Sequence, residues 1–266
     1  MKRLLPKKTK VGHTGTLDPL ASGLLVLLIG RSTRLSRYVT GLDKSYITTA
    51  RFGAVSDTLD ADGTITPLEG PMPDESTIRA ALPAFTGEIF QIPPMASALK
   101  RGGVRLYDLH RKGLTVEREP RSVTVFTLDL LAFDPDSQTA TFRISCSSGT
   151  YVRTLISDLA DHLGTGAYLT SLRRTRVGHL SSRGAITPHG LTPTTLHNRI
   201  IPPDEVVAHL PVAEVGEEGE LAVRSGRALA AQGFGGSFRV EREGMLLGVY
   251  RDDGARARAE VVLCGS

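Results

Sequence analysis

"KSYITTARFGAV", Lys44 to Val55, alternates from end to end: Tyr46, Thr48, Ala50 and Phe52 share one face and a more polar set the other. A period of two over this length marks a half-buried β-strand. Outward from it the pattern keeps changing. On the N-terminal side, "SGLLVLLIG" (Ser22–Gly30) is a short apolar run bounded by glycines and reads as a buried strand, while "RSTRLSRYV" sets Leu35 and Val39 at helical spacing. On the other side, "DTLDADGTITP" is a turn-rich loop, and Asp74 caps a helix carrying Ile78, Leu82 and Phe85 that Pro83 should end or kink.

Further along, "QIPPMASALKRGG" reads as loop with short strand, and "RLYDLHRKG" as a short helix closed by Gly113. "SVTVFTLDLLAF" and "TATFRISC" are strand-like and joined by the Asp134-Pro135-Asp136 turn. "TYVRTLISDLADHLG" is the clearest helix, with Val152, Leu155, Ile156, Leu159 and Leu163 on one stripe and Gly164 as its stop. Strands and helices follow one another irregularly, which favours a mixed α+β fold over a doubly wound parallel sheet. The turn-rich "TPHGLTPTTLHNRIIPPDE" could hold a domain boundary. Beyond it, "SFRVEREGMLLGVYRDDGARARAEVVL" suggests short strands separated by glycine turns, as in a small β-barrel.

At 266 residues the chain has room for one large domain, or a large and a small one. No apolar run approaches the ~18 residues needed to cross a bilayer. The basic start "MKRLLPKKTK" lacks the apolar core of a signal peptide, which predicts a cytoplasmic protein. Cys146 and Cys264 are too few and too far apart for a disulfide framework or a zinc site. The formal charge of +4 is modest, but the cations cluster: near the N-terminus, at Arg31, Arg34 and Arg37, around Lys100 and Arg105, and at Arg173, Arg174 and Arg176. Such clusters are either solvated surface or parts of one basic groove for a polyanion.

Most candidate chemistry falls away on spacing. Asp57, Asp60 and Asp62 do not occupy the positions of a calcium loop, and no glutamate closes one, so "DTLDADG" reads as a turn that positions backbone. The histidines have no metal-ligand spacing, and no glycine pattern cradles a nucleotide, so neither metal nor cofactor is expected. No serine sits in a nucleophile elbow. What remains is "KVGHTGTLDPLASGLL", Lys10 to Leu25. Gly12 and Gly15 permit unusual backbone angles, and Pro19 biases Asp18 toward an extended conformation. On these residues alone Asp18 is either a turn aspartate or a carboxylate presented to a ligand and paired with a cation. A candidate cation is Arg153, near the start of the strong helix and beside Tyr151.

"GHTGTLDPLASGLL" resembles the catalytic motif of the TruB-type tRNA pseudouridine synthases. "DKSYITTARFGAVSDTLDADG", "QIPPMASALKRGGVRLYDLHRKG" and "CSSGTYVRTLISDLADHLGTGAYLTSLRRTRVG" resemble the same family, in the family's order. The resemblance is strong over about residues 10–180 and weaker in the tail. It implies a mixed, mainly antiparallel catalytic domain over 1–205 and a small PUA-like RNA-binding β-domain over 206–266. It also implies isomerisation of a T-loop uridine, at tRNA position 55, by a cofactor-free monomer that engages the T-arm of tRNA and no membrane. By position, Asp18 is the catalytic aspartate with Arg153 as its ion-pair partner. Tyr46 stacks on the flipped base and acts in late proton transfer. Tyr151 and Leu172 wall the uracil pocket, His13 fills the gap left by the extruded base, and Lys100, Arg173 and Arg174 bind phosphate. The rivals are a non-catalytic tRNA-folding chaperone and a nucleoside glycosidase. Members of the family usually carry a strand and a "KPxGxTS"-like segment some tens of residues before the catalytic loop. An upstream-extended chain is therefore expected to be more stable, and equal melting temperatures for the two would count against this.

Overall fold

A computed structural model of the chain describes residues 1–97, 99–110 and 113–264. They form two compact units, one of Gly15–Leu25 with Gly41–Gly184, the other of Met1–Thr14, Val26–Thr40 and Ala185–Ser266. The first unit is built on a sheet of seven strands among the described residues: β1 (Ala21–Gly23), β2 (Lys44–Phe52), β3 (Gly87–Gln91), β4 (Arg121–Asp134), β5 (Thr139–Cys146), β6 (Ala167–Val177) and β7 (Leu180–Ser181). The order is β7–β6–β2–β5–β4–β3 with antiparallel neighbours throughout, and β1 joins β6 in parallel. The fold is α+β, mixed and mainly antiparallel, as expected.

The alternating segment is the inner strand β2. Tyr46, Thr48, Ala50 and Phe52 are buried, as the period of two predicts, and Lys44 shares their face. Tyr46 stands opposite Ile144 of β5 and Arg174 of β6. Against this sheet packs a helix over Val152–His162, whose Val152, Leu155, Ile156 and Leu159 join Ala50, Phe142, Ile144 and Leu169 in one apolar cluster. Leu155, Ile156 and Leu159 are fully sequestered, and each such side chain is worth about 1.5–3 kcal/mol over its exposed state. The helix stops at Gly164, whose φ of 75° suits glycine. Asp74 caps the helix Glu75–Ala81 through Thr77 N–H at 2.7 Å, and Pro83 converts its continuation to a 3-10 turn.

One sequence expectation fails. "SGLLVLLIG" is not a single buried strand. Ala21–Gly23 belongs to the main sheet, while Leu27–Ile29 pairs with Val11–His13 in the other unit. Leu24 and Leu28 are buried, but Leu25 and Leu27 are exposed. The break lies at Gly23, which adopts φ 96° so that Leu24 N–H can donate to the Arg174 carbonyl at 2.8 Å. A Cβ on Gly23 would lie 2.2 Å from that carbonyl oxygen. An unbroken apolar run carries no sign of such a crossing.

In the second unit the turn Gly30–Leu35 runs into the short helix Ser36–Thr40 and buries Leu35 and Val39, the pair predicted from their spacing. The tail forms a five-stranded sheet in the order Val212–Glu214, Ser237–Arg242, Met245–Asp252, Arg256–Val262, Leu229–Ala230. Phe238, Val240, Tyr250 and Ala257 are its core, with Val223 of the helix Glu217–Arg224 packed among them. This is the small β-domain expected from the glycine-separated strands. Among the described residues no helix is long and apolar enough to cross a membrane.

Gly23→Ala combines a positive φ with a backbone collision. It is expected to cost about 3 kcal/mol, read as a loss of urea-unfolding free energy with an unchanged m-value.

Candidate active site

The loop bearing Asp18 is held at both ends by one side chain. Arg174 on β6 is 3% exposed and donates from Nε to the Leu24 carbonyl (2.8 Å), from Nη2 to Gly15 (3.1 Å) and from Nη1 to Thr16 (3.4 Å). Gly15, at φ 138°, lets the chain turn beside this guanidinium. Asp18 then closes the turn, its carbonyl accepting from Ala21 N–H at 2.9 Å. The Asp-Pro turn reading was therefore correct as far as the backbone goes.

The carboxylate itself does something else. Asp18 Oδ2 lies 2.9 Å from Arg153 Nε. Arg153 occupies the first turn of the helix Val152–His162, where the helix dipole disfavours a cation, and its side chain is 4% exposed. It is satisfied on every side: Nη1 donates to the Thr58 carbonyl (2.8 Å) and Nη2 to Ala96 (2.7 Å), and Nη1 lies 3.4 Å from Asp60 Oδ2. Asp60 is sealed at 3% exposure, and its Oδ1 accepts from Thr58 Oγ1 (2.6 Å) and Asp62 N–H (3.2 Å). One guanidinium thus joins two carboxylates, and they differ in access, because Asp18 keeps 34% of its side chain exposed.

Burial lifts the Asp18 carboxyl above the ordinary aspartate value, the Arg153 guanidinium pulls it back, and the Asp60 charge pushes it up again. Tyr46 is pushed up to about 12, chiefly by burial, so it is a neutral phenol near neutral pH. Tyr151, N-cap of the Arg153 helix, is also raised by burial. The Asp18 charge raises both hydroxyls further. The Tyr151 backbone is clamped by Gln91, whose Oε1 accepts from Tyr151 N–H (3.0 Å) while Nε2 donates to the Tyr151 carbonyl (3.2 Å). Leu172 is buried on β6, opposite Thr48 and Ala21.

The structure therefore gathers Asp18, Arg153, Tyr46, Tyr151 and Leu172 in one unit. Arg173 is exposed, pointing to the opposite face of β6 from Leu172 and Arg174. His13 is exposed on Val11–His13, in the other unit. The Lys100 side chain lies outside the described residues. Arg174 corrects an expectation: it was assigned to phosphate, but burial and the loop carbonyls consume its donors. Asp60 and Gln91 were missed. Asp60 hid in a loop read as backbone scaffolding, and its central place in "DTLDADG" gave no hint that a distant arginine needs it.

Two family patterns cover most of the chain. Residues 2–152 match the TruB family pseudouridylate synthase N-terminal domain, and residues 153–207 match the tRNA pseudouridylate synthase B C-terminal domain. The chain belongs to the TruB pseudouridylate synthase family. A tRNA pseudouridine synthase B from Aromatoleum aromaticum is 44% identical over 256 residues, covering 95% of this chain and 82% of the relative. One from Burkholderia mallei is 43% identical over 281 residues, covering all of this chain and 91% of the relative. Among solved structures, a chain of a Cbf5-Nop10-Gar1 complex superposes with a TM-score of 0.73 over 96% of this chain and 77% of its own length, at 24% identity. That likeness speaks to the fold: a pseudouridine-synthase sheet with a small PUA-like β-domain. The TruB family member described here is accordingly a pseudouridine synthase, an isomerase. Its relatives are named as synthases, which bears out the expected synthase and sets aside the alternative of a non-catalytic chaperone.

The role expected of Asp18 uses its ionised form, so on that expectation activity should fall as pH drops through its raised folded value. The linkage has the opposite sign for folding: the folded state holds this proton more tightly than the unfolded chain, so Asp18 lowers stability as pH rises through that window. Asp60→Asn removes the charge that raises Asp18. The acid limb of its kcat/KM profile is expected at lower pH than in the unsubstituted chain, while a limb that stays or moves up would contradict the coupling.

Proposed function

We propose that this synthase isomerises a uridine in the T loop of tRNA, acting on the T-arm as a cytoplasmic monomer without a cofactor. The observation that supports it most is the Asp18 carboxylate, one-third exposed and fixed by a buried guanidinium at the head of a helix. In the reaction the C1′–N1 bond of the nucleotide breaks and a C1′–C5 bond forms. C5 gives up its proton and N1 gains one, so the product is an isomer. The nucleotide must leave the stack to reach Asp18, which costs a few kcal/mol of unstacking that protein contacts offset.

Asp18 either adds to C1′ or removes the 2′ proton, and both roles use the anion that Arg153 stabilises. Tyr46 stacks against the base. Because burial keeps it a phenol, any part in removing the C5 proton is as a relay that passes its own proton on, not as a standing phenolate. Tyr151 and Leu172 wall the uracil, and His13 occupies the place of the extruded base. Arg173, which is exposed, supplies a phosphate contact, Lys100 supplies another by its place in the motif, and the tail from residue 206 adds RNA-binding surface to a catalytic part over 1–205. A glycosidase would use a second carboxylate at the sugar. Here the second carboxylate, Asp60, is sealed behind Arg153.

Asp18→Asn is expected to abolish tritium release from C5-labelled uridine in tRNA, while tRNA affinity stays within about threefold. Full turnover by that variant would sink the proposal, and release of free uracil by the unsubstituted chain would point to a glycosidase.

A further inference from the structure

Arg31, Arg34 and Arg37 form one of the basic clusters noted in the sequence; they are exposed, and each also spends a donor on the C-terminal strand or on the residues that follow it. Arg31 Nη1 donates to the Leu263 carbonyl at 3.0 Å and Arg34 Nη1 to Val262 at 2.6 Å. Arg37 Nη2 lies 3.1 Å from Glu260 Oε1 and donates to Tyr38 Oη at 2.6 Å. Tyr38 in turn donates to Glu260 Oε2 at 2.8 Å, an oxygen that also accepts from Ser237 Oγ at 2.6 Å. Arg31 and Arg34 lie three apart on the 3-10 turn Gly30–Leu35, in which residues i and i+3 eclipse, and Arg37 follows on the helix Ser36–Thr40. Leu35 and Val39 of the same segment are buried, so it is fixed by apolar packing as well.

This segment continues directly from the strand Leu27–Ile29, which pairs with Val11–His13. The pairing extends outward, with Gly30 N–H to the Lys10 carbonyl (2.8 Å) and Thr14 N–H to Val26 (3.1 Å). Residues 15–25, with Asp18 among them, are the excursion between these two strands. The C-terminal strand Arg256–Val262 and the stem of the Asp18 loop thus belong to one unit.

We infer that Arg31, Arg34 and Arg37 are positioning residues for the isomerisation: within their own unit they fasten to the C-terminal strand the two-stranded stem from which the Asp18 loop leaves and to which it returns. The inference rests on the function proposed above. A carboxylate displaced by a fraction of an ångström loses rate without losing substrate binding.

The test compares Arg34→Ala with Arg37→Ala combined, Glu260→Gln, and Arg256→Ala as a control on the same strand, all in the full chain and well below their melting transitions. The double variant is expected to lower the single-turnover rate at saturating tRNA about tenfold, with tRNA Kd within about twofold. Glu260→Gln, which keeps its acceptor oxygen, should give a smaller loss, and Arg34→Lys should recover part of the rate. Arg256→Ala should leave the rate unchanged. Amide exchange at Ala21 and Leu24 supplies a readout independent of turnover, and both should exchange faster in the double variant. An unchanged rate with weakened, salt-sensitive tRNA binding would make these arginines RNA contacts and overturn the inference. So would a lowered melting temperature with unchanged rate and loop exchange. If the unsubstituted chain showed no turnover, the proposed function would fail, while the exchange data would still decide the positioning role.

Discussion

A single guanidinium, buried between two carboxylates, is the constraint on which the candidate active site depends. Arg153 stands where the helix dipole opposes a cation, in a place that water hardly reaches, and a charge so placed is tolerable only if paired and fully hydrogen-bonded. Asp60 and the carbonyls of Thr58 and Ala96 meet that need from inside the fold. Asp18 meets it from a loop that keeps one side open. Arg153 favours the anion of Asp18, while Asp60, sharing the same guanidinium from inside, opposes it. The same arrangement makes the site costly, because Asp18 is held at a proton affinity above that of the free side chain.

The second requirement is that the loop stay in place. Two of its fixings act on its backbone: Gly23 allows the chain to cross Arg174 in contact, and the Arg174 side chain then collects three loop carbonyls. Arginine suits this task because its planar fork offers several donors in fixed directions. A lysine in its place could serve one carbonyl well and would leave the others without a partner in a buried setting.

Much of the fold was legible because burial imposes periods. The alternation of Lys44–Phe52 and the stripe of Val152–His162 name the inner strand and the helix packed on its sheet, and the Asp74 cap and Gly164 stop mark real ends. The split of "SGLLVLLIG" between two units was not legible, since hydrophobicity does not record which core a leucine enters. At the candidate site, Asp18, Arg153, Tyr46 and Tyr151 were singled out through motifs that resemble a family, with the residues alone leaving Asp18 undecided. Asp60 was visible as a turn former but not as a counter-ion, because that role depends on a partner 93 residues away in the chain. Arg174 was misread for the converse reason. An arginine cluster looks the same in sequence whether its donors face phosphate or the protein's own carbonyls.

The most direct measurement of the central claim is a crystal structure of the chain bound to a T-arm stem-loop RNA. The account predicts a nucleotide swung out of the loop, its ribose C1′ and 2′-OH against the Asp18 carboxylate and its base against Tyr46, with Arg153 still joining Asp18 to Asp60. A target uridine left stacked in the RNA, or an Arg153 released from both carboxylates to bind phosphate, would contradict it.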